Sequence, residues 1–169
     1  MRPIYVLVLA AWMLGSPALT GAVSMINDPK GFRNIVWGSA LDTRADLEPT
    51  RRGPNIIDYR FKDSPPVFAE IPVESLQLST VDDQFARVTV RYRGEDTHKK
   101  ILAYLESEFG RMERLPGQML RGLNQQYNWR GSESEINLTY QAGTERGYLF
   151  IDSRTLAPRF NDLLADTAE

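Results

Sequence analysis

Phe85 to Arg93 reads FARVTVRYR, and this stretch decides the fold class. Side chains of opposite polarity alternate along it, which predicts a half-buried β-strand. The predicted core face carries Ala86, Val88, Val90 and Tyr92. The opposite face carries Arg87, Thr89, Arg91 and Arg93.

Similar patterns lie on both sides of this stretch. Ile71 to Ser79 is predicted to pair with it as a hairpin around Val81 to Asp83, and Ile57 to Phe61 also alternates. A three-stranded meander is predicted over Asn124 to Arg130, Ser134 to Gln141 and Gly147 to Ser153. In its last arm Leu149 and Ile151 face one side and Tyr148 and Phe150 the other, so we expect that strand to be covered on both faces.

One long helix is predicted over Glu95 to Phe109, between Gly94 and Gly110. Its apolar stripe comprises Ile101, Leu102, Leu105 and Phe109. Ser39 suits the start of a short helix ending near Leu47, and Pro158 suits the first turn of a C-terminal helix. Glu48 to Pro54 is predicted to be a loop, and Leu115 to Leu123 an irregular connection.

Strands grouped before and after a helix predict the α+β class. We therefore expect a single domain over residues 31–169, mainly antiparallel sheet packed by one long helix, with short N- and C-terminal helices. Residues 23–30 are predicted to be a flexible lead.

The first 22 residues have the pattern of a cleavable signal peptide. Arg2 precedes an apolar run from Tyr5 to Leu14, and Thr20 to Ala22 offers a small-residue cleavage site. This predicts a periplasmic or secreted protein that does not span a membrane after cleavage. The chain has no cysteine, which excludes disulfides and a lipidated cysteine. Its net charge of −2 argues against a nucleic-acid partner.

No residue set predicts catalysis, a metal or a cofactor. His98 is the only histidine and is expected to be a solvated helix residue. A glycosidase needs only two carboxylates, and the candidates are Asp82 with Asp83, Glu106 with Glu108, and Glu133 with Glu135. Turns and polar faces normally carry such charges, so we interpret all three pairs as structural.

Two sets of residues are candidates for binding. Arg87, Arg91 and Arg93 share a strand face and could present guanidinium groups to an extended anion. The alternative is that acidic cross-strand neighbours such as Glu74 pair with them. Tyr127 and Trp129 could form a sugar-stacking platform, or they could belong to the core.

Gly31 to Gly38 reads GFRNIVWG. It resembles the Gly-Phe-x-Gly-Ile-x-Trp-Gly segment that opens the mature chains of a group of exported bacterial proteins of unknown function. Asn34 stands where those chains have glycine. The resemblance continues through short motifs to residue 153 and implies export and a single domain, without implying an activity.

The sequence therefore predicts an exported, non-enzymatic binding module whose partner is an unknown protein or envelope component. Two alternatives remain open. A hydrolase of envelope glycans would place two carboxylates about 5–10 Å apart in a cleft. A small-molecule carrier would need a cavity of about 300 Å³ or more between sheet and helix.

Overall fold

The strand predicted over Phe85 to Arg93 lies at the centre of an eight-stranded sheet. The structure is a computed structural model that describes residues 23–62, 64–111 and 124–166. The predicted signal peptide (residues 1–22) and the connection predicted over 115–123 lie outside the described residues.

Twelve strands and two helices occur in the described part of the chain. The first six strands are β1 (Val23–Ser24), β2 (Gly31–Phe32), β3 (Ile35–Val36), β4 (Leu47–Arg52), β5 (Ile56–Phe61) and β6 (Val67–Phe68). The others are β7 (Ile71–Pro72), β8 (Ser75–Val81), β9 (Gln84–Arg93), β10 (Asn124–Arg130), β11 (Ser134–Gln141) and β12 (Arg146–Ser153). The helices are α1 (Glu95–Phe109) and α2 (Ala157–Asp166).

The strand order of the main sheet is β1-β10-β11-β12-β9-β8-β5-β4. All neighbours are antiparallel except β1 and β10, which are parallel. The predicted meander is therefore present as β10, β11 and β12. Two further hairpins, β2–β3 and β6–β7, form separate two-stranded sheets. The molecule is a single compact body, as the α+β class requires.

Tight turns with left-handed residues connect these hairpins. Asp82 and Asp83 have φ of 47° and 63° between β8 and β9, and Arg33 and Asn34 have the same values between β2 and β3. Positive φ at both central residues is the geometry of a type I′ turn, which matches the twist of paired strands. Asn34 adopts this conformation more readily than most residues other than glycine.

The predicted alternation fails at Ala86. The register between β8 and β9 shifts between Ser79 and Thr80, which is a β-bulge. Phe85 therefore packs in the main core, whereas Ala86 belongs to a second cluster under α2. The other buried members of that cluster are Ile56, Val81 and Phe160.

The two helices lie on opposite faces of the sheet, so the prediction of packing chiefly by one long helix is too simple. α1 has 15 residues and the bounds predicted for it, and Ile101, Leu102 and Leu105 share the main core with Val88 and Val90. α2 has 10 residues and packs through Phe160 on the face opposite to Val88. Neither described helix is long and apolar enough to cross a bilayer. We call the sheet face that carries Arg87, Thr89 and Arg91 the α2 face.

The helix predicted to end near Leu47 is wrong, because turns precede Leu47 and β4 begins there. The predicted loop over Glu48 to Pro54 is also wrong in its first part, which is an edge strand. Pro49 is tolerated because β4 pairs only with β5, and the register shifts between Pro49 and Arg51.

The segment predicted as a flexible lead is instead bound to the body. β1 pairs with β10, and the Asp28 carboxylate accepts bonds from Ser132 Oγ at 2.9 Å and from the backbone N–H groups of Glu133 (2.7 Å) and Ser134 (3.0 Å). Partial burial raises the pKa of Asp28, but these hydrogen bonds outweigh it and hold the pKa below its usual value. Asp28 also fills the space that a Cβ on Gly131 would need, 2.2 Å from its Cγ.

Candidate functional site

A groove of about 440 Å³ opens on the α2 face, between the strands and α2. Most of its lining is hydrogen-bonding side chains from four strands, and one end is apolar. The uncharged polar residues are Thr50, Gln77, Ser79 and Thr89. The apolar residues are Phe150, Phe160 and Leu164.

Arg87, the first of the predicted binding arginines, is held in place by its own neighbours. Its Nε donates to Asp152 at 2.5 Å and its NH2 to Asn161 at 3.0 Å. Its guanidinium lies 5.3 Å from the Phe150 ring centroid and 4.4 Å from that of Phe160. Burial raises the pKa of Asp152, and the Arg87 charge opposes this shift. Arg87 is therefore a structural residue that forms one wall of the groove.

Arg51 is neutralised in the same way. Its Nε lies 2.8 Å from an oxygen of the buried Asp58 carboxylate, and the other oxygen accepts a bond from Ser79 Oγ at 2.7 Å. Asp58 comes from β5 and Ser79 from β8, and their Cα atoms are paired across the two strands. The strand register thus places the Asp58 carboxylate in a buried position where it forms an ion pair with Arg51.

Arg91 differs from both. It is exposed, it lines the groove, and within the described ranges no carboxylate or other side chain forms an ion pair or hydrogen bond with its guanidinium. Arg93 lies outside the lining, and its Nε donates to Glu74 at 3.1 Å. The predicted pairing with Glu74 is therefore confirmed for Arg93. Of the three predicted arginines, Arg91 is the one whose charge is available to a ligand.

Tyr127 and Trp129 do not form a stacking platform. Both rings are in the main core, where Trp129 is fully buried and its indole N–H donates to the carbonyl of Gly110 at 2.8 Å. The alternative that placed them in the core is confirmed, because their strand face is the one that packs towards α1. In these positions neither ring offers an exposed face on which a sugar could stack.

A different aromatic pair lies on the α2 face. Tyr148 and Phe150 are half-buried and two residues apart on β12, so the expectation that this strand is covered on both faces is only partly met. Tyr148 lies opposite Arg91 of β9, and Phe150 lies opposite Thr89. The sequence pattern did identify their shared face, but only the position of α2 shows that the face stays partly open.

Uncharged polar groups continue this surface across the meander. Phe150 is paired with Asn137 on β11, which is paired with Asn128 on β10. Asn128 Nδ2 donates to Asn137 Oδ1 at 2.6 Å and to Glu135 at 2.9 Å. The α2 face thus combines the unpaired guanidinium of Arg91 with half-buried aromatic rings and with hydroxyl and amide groups.

His98 is buried, so its assignment as a solvated residue is wrong. Tyr92 Oη lies 2.7 Å from its Nδ1, and Gln125 Oε1 lies 3.2 Å from its Nε2. Its ring stacks on Tyr140 with centroids 4.3 Å apart, and Tyr127 Oη donates to the same Gln125 oxygen at 2.9 Å. Burial lowers the pKa of His98, and the bond to Gln125 only partly offsets that shift. These contacts describe a neutral histidine with both ring nitrogens satisfied.

The described residues that line the groove include no pair of carboxylates. The groove lining contains one, Asp58, whose two oxygens already bind Arg51 and Ser79. Asp82 accepts bonds from Asn55 at 2.8 Å and Arg159 at 3.1 Å, which tie the β8–β9 turn to its surroundings. In the part of the chain that the structure describes, no three His, Asp or Glu side chains converge as metal ligands.

No protein-family model matches the chain, and comparisons with curated proteins and with solved structures find no significant match.

Proposed function

We propose that this chain is an exported, non-enzymatic binding module whose α2 face recognises an acidic saccharide of the bacterial envelope. The observation that carries the proposal is the exposed, unpaired guanidinium of Arg91 in the lining of the groove. Three arginines line the groove. Arg51 and Arg87 each form an ion pair with a buried aspartate, which leaves the charge of Arg91 for a ligand. A planar guanidinium binds a carboxylate through two parallel hydrogen bonds.

The surroundings of Arg91 favour a sugar acid over a bare anion. Tyr148 lies beside it in the neighbouring strand and Phe150 lines the groove, and half-exposed aromatic rings stack on the apolar faces of sugar rings. Gln77, Thr89 and Thr50 supply the donors and acceptors that hydroxyl groups need. The N-terminal signal pattern supports an exported location for such a ligand.

The hydrolase alternative has less support. A glycosidase needs one carboxyl group to give a proton and a second to act as base or nucleophile. Among the described residues, Asp58 is the one carboxylate in the groove lining, and its two oxygens are already in contact with Arg51 and Ser79. The lining therefore lacks the second carboxyl group that this chemistry needs.

Isothermal titration calorimetry with trigalacturonate tests the proposal. We expect binding to the parent protein, no binding of the neutral methyl ester, and a loss of about tenfold or more in affinity in Arg91→Gln, since one charge-assisted pair is removed. Arg111→Gln is the matched control, because Arg111 is an exposed arginine two residues after α1, which packs on the opposite face of the sheet. Equal binding of the ester, or equal loss in both variants, would overturn the proposal.

A further inference from the structure

A second cavity, of about 450 Å³, lies on the other side of the sheet, between the β2–β3 hairpin, the β6–β7 hairpin and α1. We call it the hairpin cavity. The larger apolar side chains in its lining are Phe32, Val67, Phe68, Tyr104, Phe109 and Ile151. The volume exceeds the 300 Å³ or so at which small-molecule sites begin.

Aromatic contacts between these elements shape the cavity. The Phe32 and Phe68 rings are parallel within 3° with centroids 6.4 Å apart, and Phe68 meets Tyr104 edge-on at 5.5 Å. Each ring comes from a different element, and Phe68 is anchored in the main core. The cavity therefore has walls supported by the core, and its apolar lining favours a hydrocarbon group over water.

Arg33 gives the cavity a fixed positive charge at its solvent edge. It is exposed at the tip of the β2–β3 turn, its guanidinium lies 4.9 Å from the Phe61 ring centroid and 5.4 Å from that of Phe32, and its NH2 donates to the carbonyl of Val67 at 2.5 Å. In residues 23–62, 64–111 and 124–166 no carboxylate pairs with it. One of its five N–H groups is used by Val67, so donors remain for an anion.

We propose that the hairpin cavity binds a free fatty acid, with the alkyl chain among the aromatic rings and the carboxylate on Arg33. The charge at the edge and the apolar interior match the two parts of such a molecule. Glu70, exposed at the tip of the β6–β7 turn, also lines the cavity and opposes the bound carboxylate. Because Arg33 and Glu70 carry opposite charges, removing each charge should change the affinity for a carboxylate in opposite directions.

Dodecanoate is the probe, titrated by calorimetry at low ionic strength, with dodecanol as its uncharged analogue. We expect Arg33→Gln to weaken dodecanoate about tenfold, Glu70→Gln to tighten it, and neither to change the affinity for dodecanol. Circular dichroism at the same concentration establishes that both variants fold. Arg91→Gln, on the other face, should leave dodecanoate binding unchanged, which separates this site from the saccharide groove.

Failure of dodecanoate to bind would overturn the inference. So would an equal loss of dodecanoate and dodecanol affinity in Arg33→Gln, since that result would assign Arg33 a purely structural role. Tighter binding of dodecylamine than of dodecanoate would identify Glu70 as the recognition residue and would also overturn it.

Discussion

Arg87 Nε lies 2.5 Å from Asp152 Oδ1, and this buried pair separates the roles of the arginines on β9. Their Cα atoms face each other across β9 and β12, so the strand register itself brings the charges together. Arg91 faces Tyr148 on the same pair of strands, which gives it an aromatic neighbour in place of an acid. Arg87 therefore forms part of the groove wall, whereas the guanidinium of Arg91 is open to a ligand.

Asp152→Asn should destabilise the protein by about 3 kcal/mol, because it leaves the mostly buried charge of Arg87 without its counter-ion. Urea denaturation at pH 7 measures the change. Asp46→Asn is the control, since Asp46 pairs with Arg44 on the surface and its loss should have little effect. Equal costs for the two variants would show that burial does not determine the strength of the Arg87 pair.

The free energy of unfolding should fall as the pH drops below about 6.5, the ordinary pKa of an unfolded histidine. Burial lowers the pKa of His98 in the folded state, so between the two pKa values the unfolded chain binds a proton that the folded chain does not. The slope from this group is at most about 1.4 kcal/mol per pH unit. The stabilisation is complete above the unfolded pKa and is lost as the pH approaches the folded one.

Urea titrations at pH 7.5 and pH 5.5 check this pH dependence. His98→Gln should be less stable than the parent at pH 7.5 but should lose less stability between the two pH values. An unchanged loss in the variant would assign the pH dependence to other groups.

Gly147→Ala should destabilise the protein by about 1–3 kcal/mol through overpacking. A Cβ at this position would lie 1.9 Å from Cζ of Tyr92. The Tyr92 ring is fully buried, and its hydroxyl group is hydrogen-bonded to His98. Thermal unfolding followed by near-ultraviolet circular dichroism measures both the cost and the disturbance of the tyrosine. Gly53→Ala is the comparison, because its nearest atom would be 3.0 Å away, and an equal cost there would contradict the packing argument.

Asp28→Ala should release the N-terminal segment from the β10–β11 turn. The backbone N–H groups of Glu133 and Ser134 lose their acceptor, and the Ser132 hydroxyl loses its partner. Hydrogen exchange at Glu133 and Ser134 should rise in the variant while exchange in α1 stays slow. Unchanged exchange at the turn would show that β1 alone holds the segment.

The sequence predicts those parts of the fold that depend on local pattern. The alternation through Val88, Val90 and Tyr92, the bounds of α1 and the meander follow from side-chain periodicity, which nearby residues determine. The proline and glycine content of Glu48 to Pro54 predicts a loop, but a strand at a sheet edge tolerates proline, and β4 lies at such an edge. The bulge that turns Ala86 towards α2 depends on the register between β8 and β9, and this register cannot be read from the sequence of β9 alone.

The candidate site was harder to predict because its contacts join residues far apart in the chain. The pairing of Glu74 with Arg93 can be predicted because a hairpin brings the two residues close. Asp152, which pairs with Arg87, is 65 residues away in the sequence. The neighbouring Lys99 and Lys100 predict a solvated position for His98. Its burial depends on Tyr140 and Gln125, which the sheet order alone brings to the helix.

The most direct test of the account is a map of where trigalacturonate binds, by amide chemical-shift changes in a two-dimensional NMR titration. The account predicts shifts at Gln77, Thr89 and Phe150 on the α2 face, with Ile101 and Leu105 of α1 unaffected. Shifts that cluster on α1, or shifts of the same size in Arg91→Gln at the same subsaturating concentration of ligand, would contradict it.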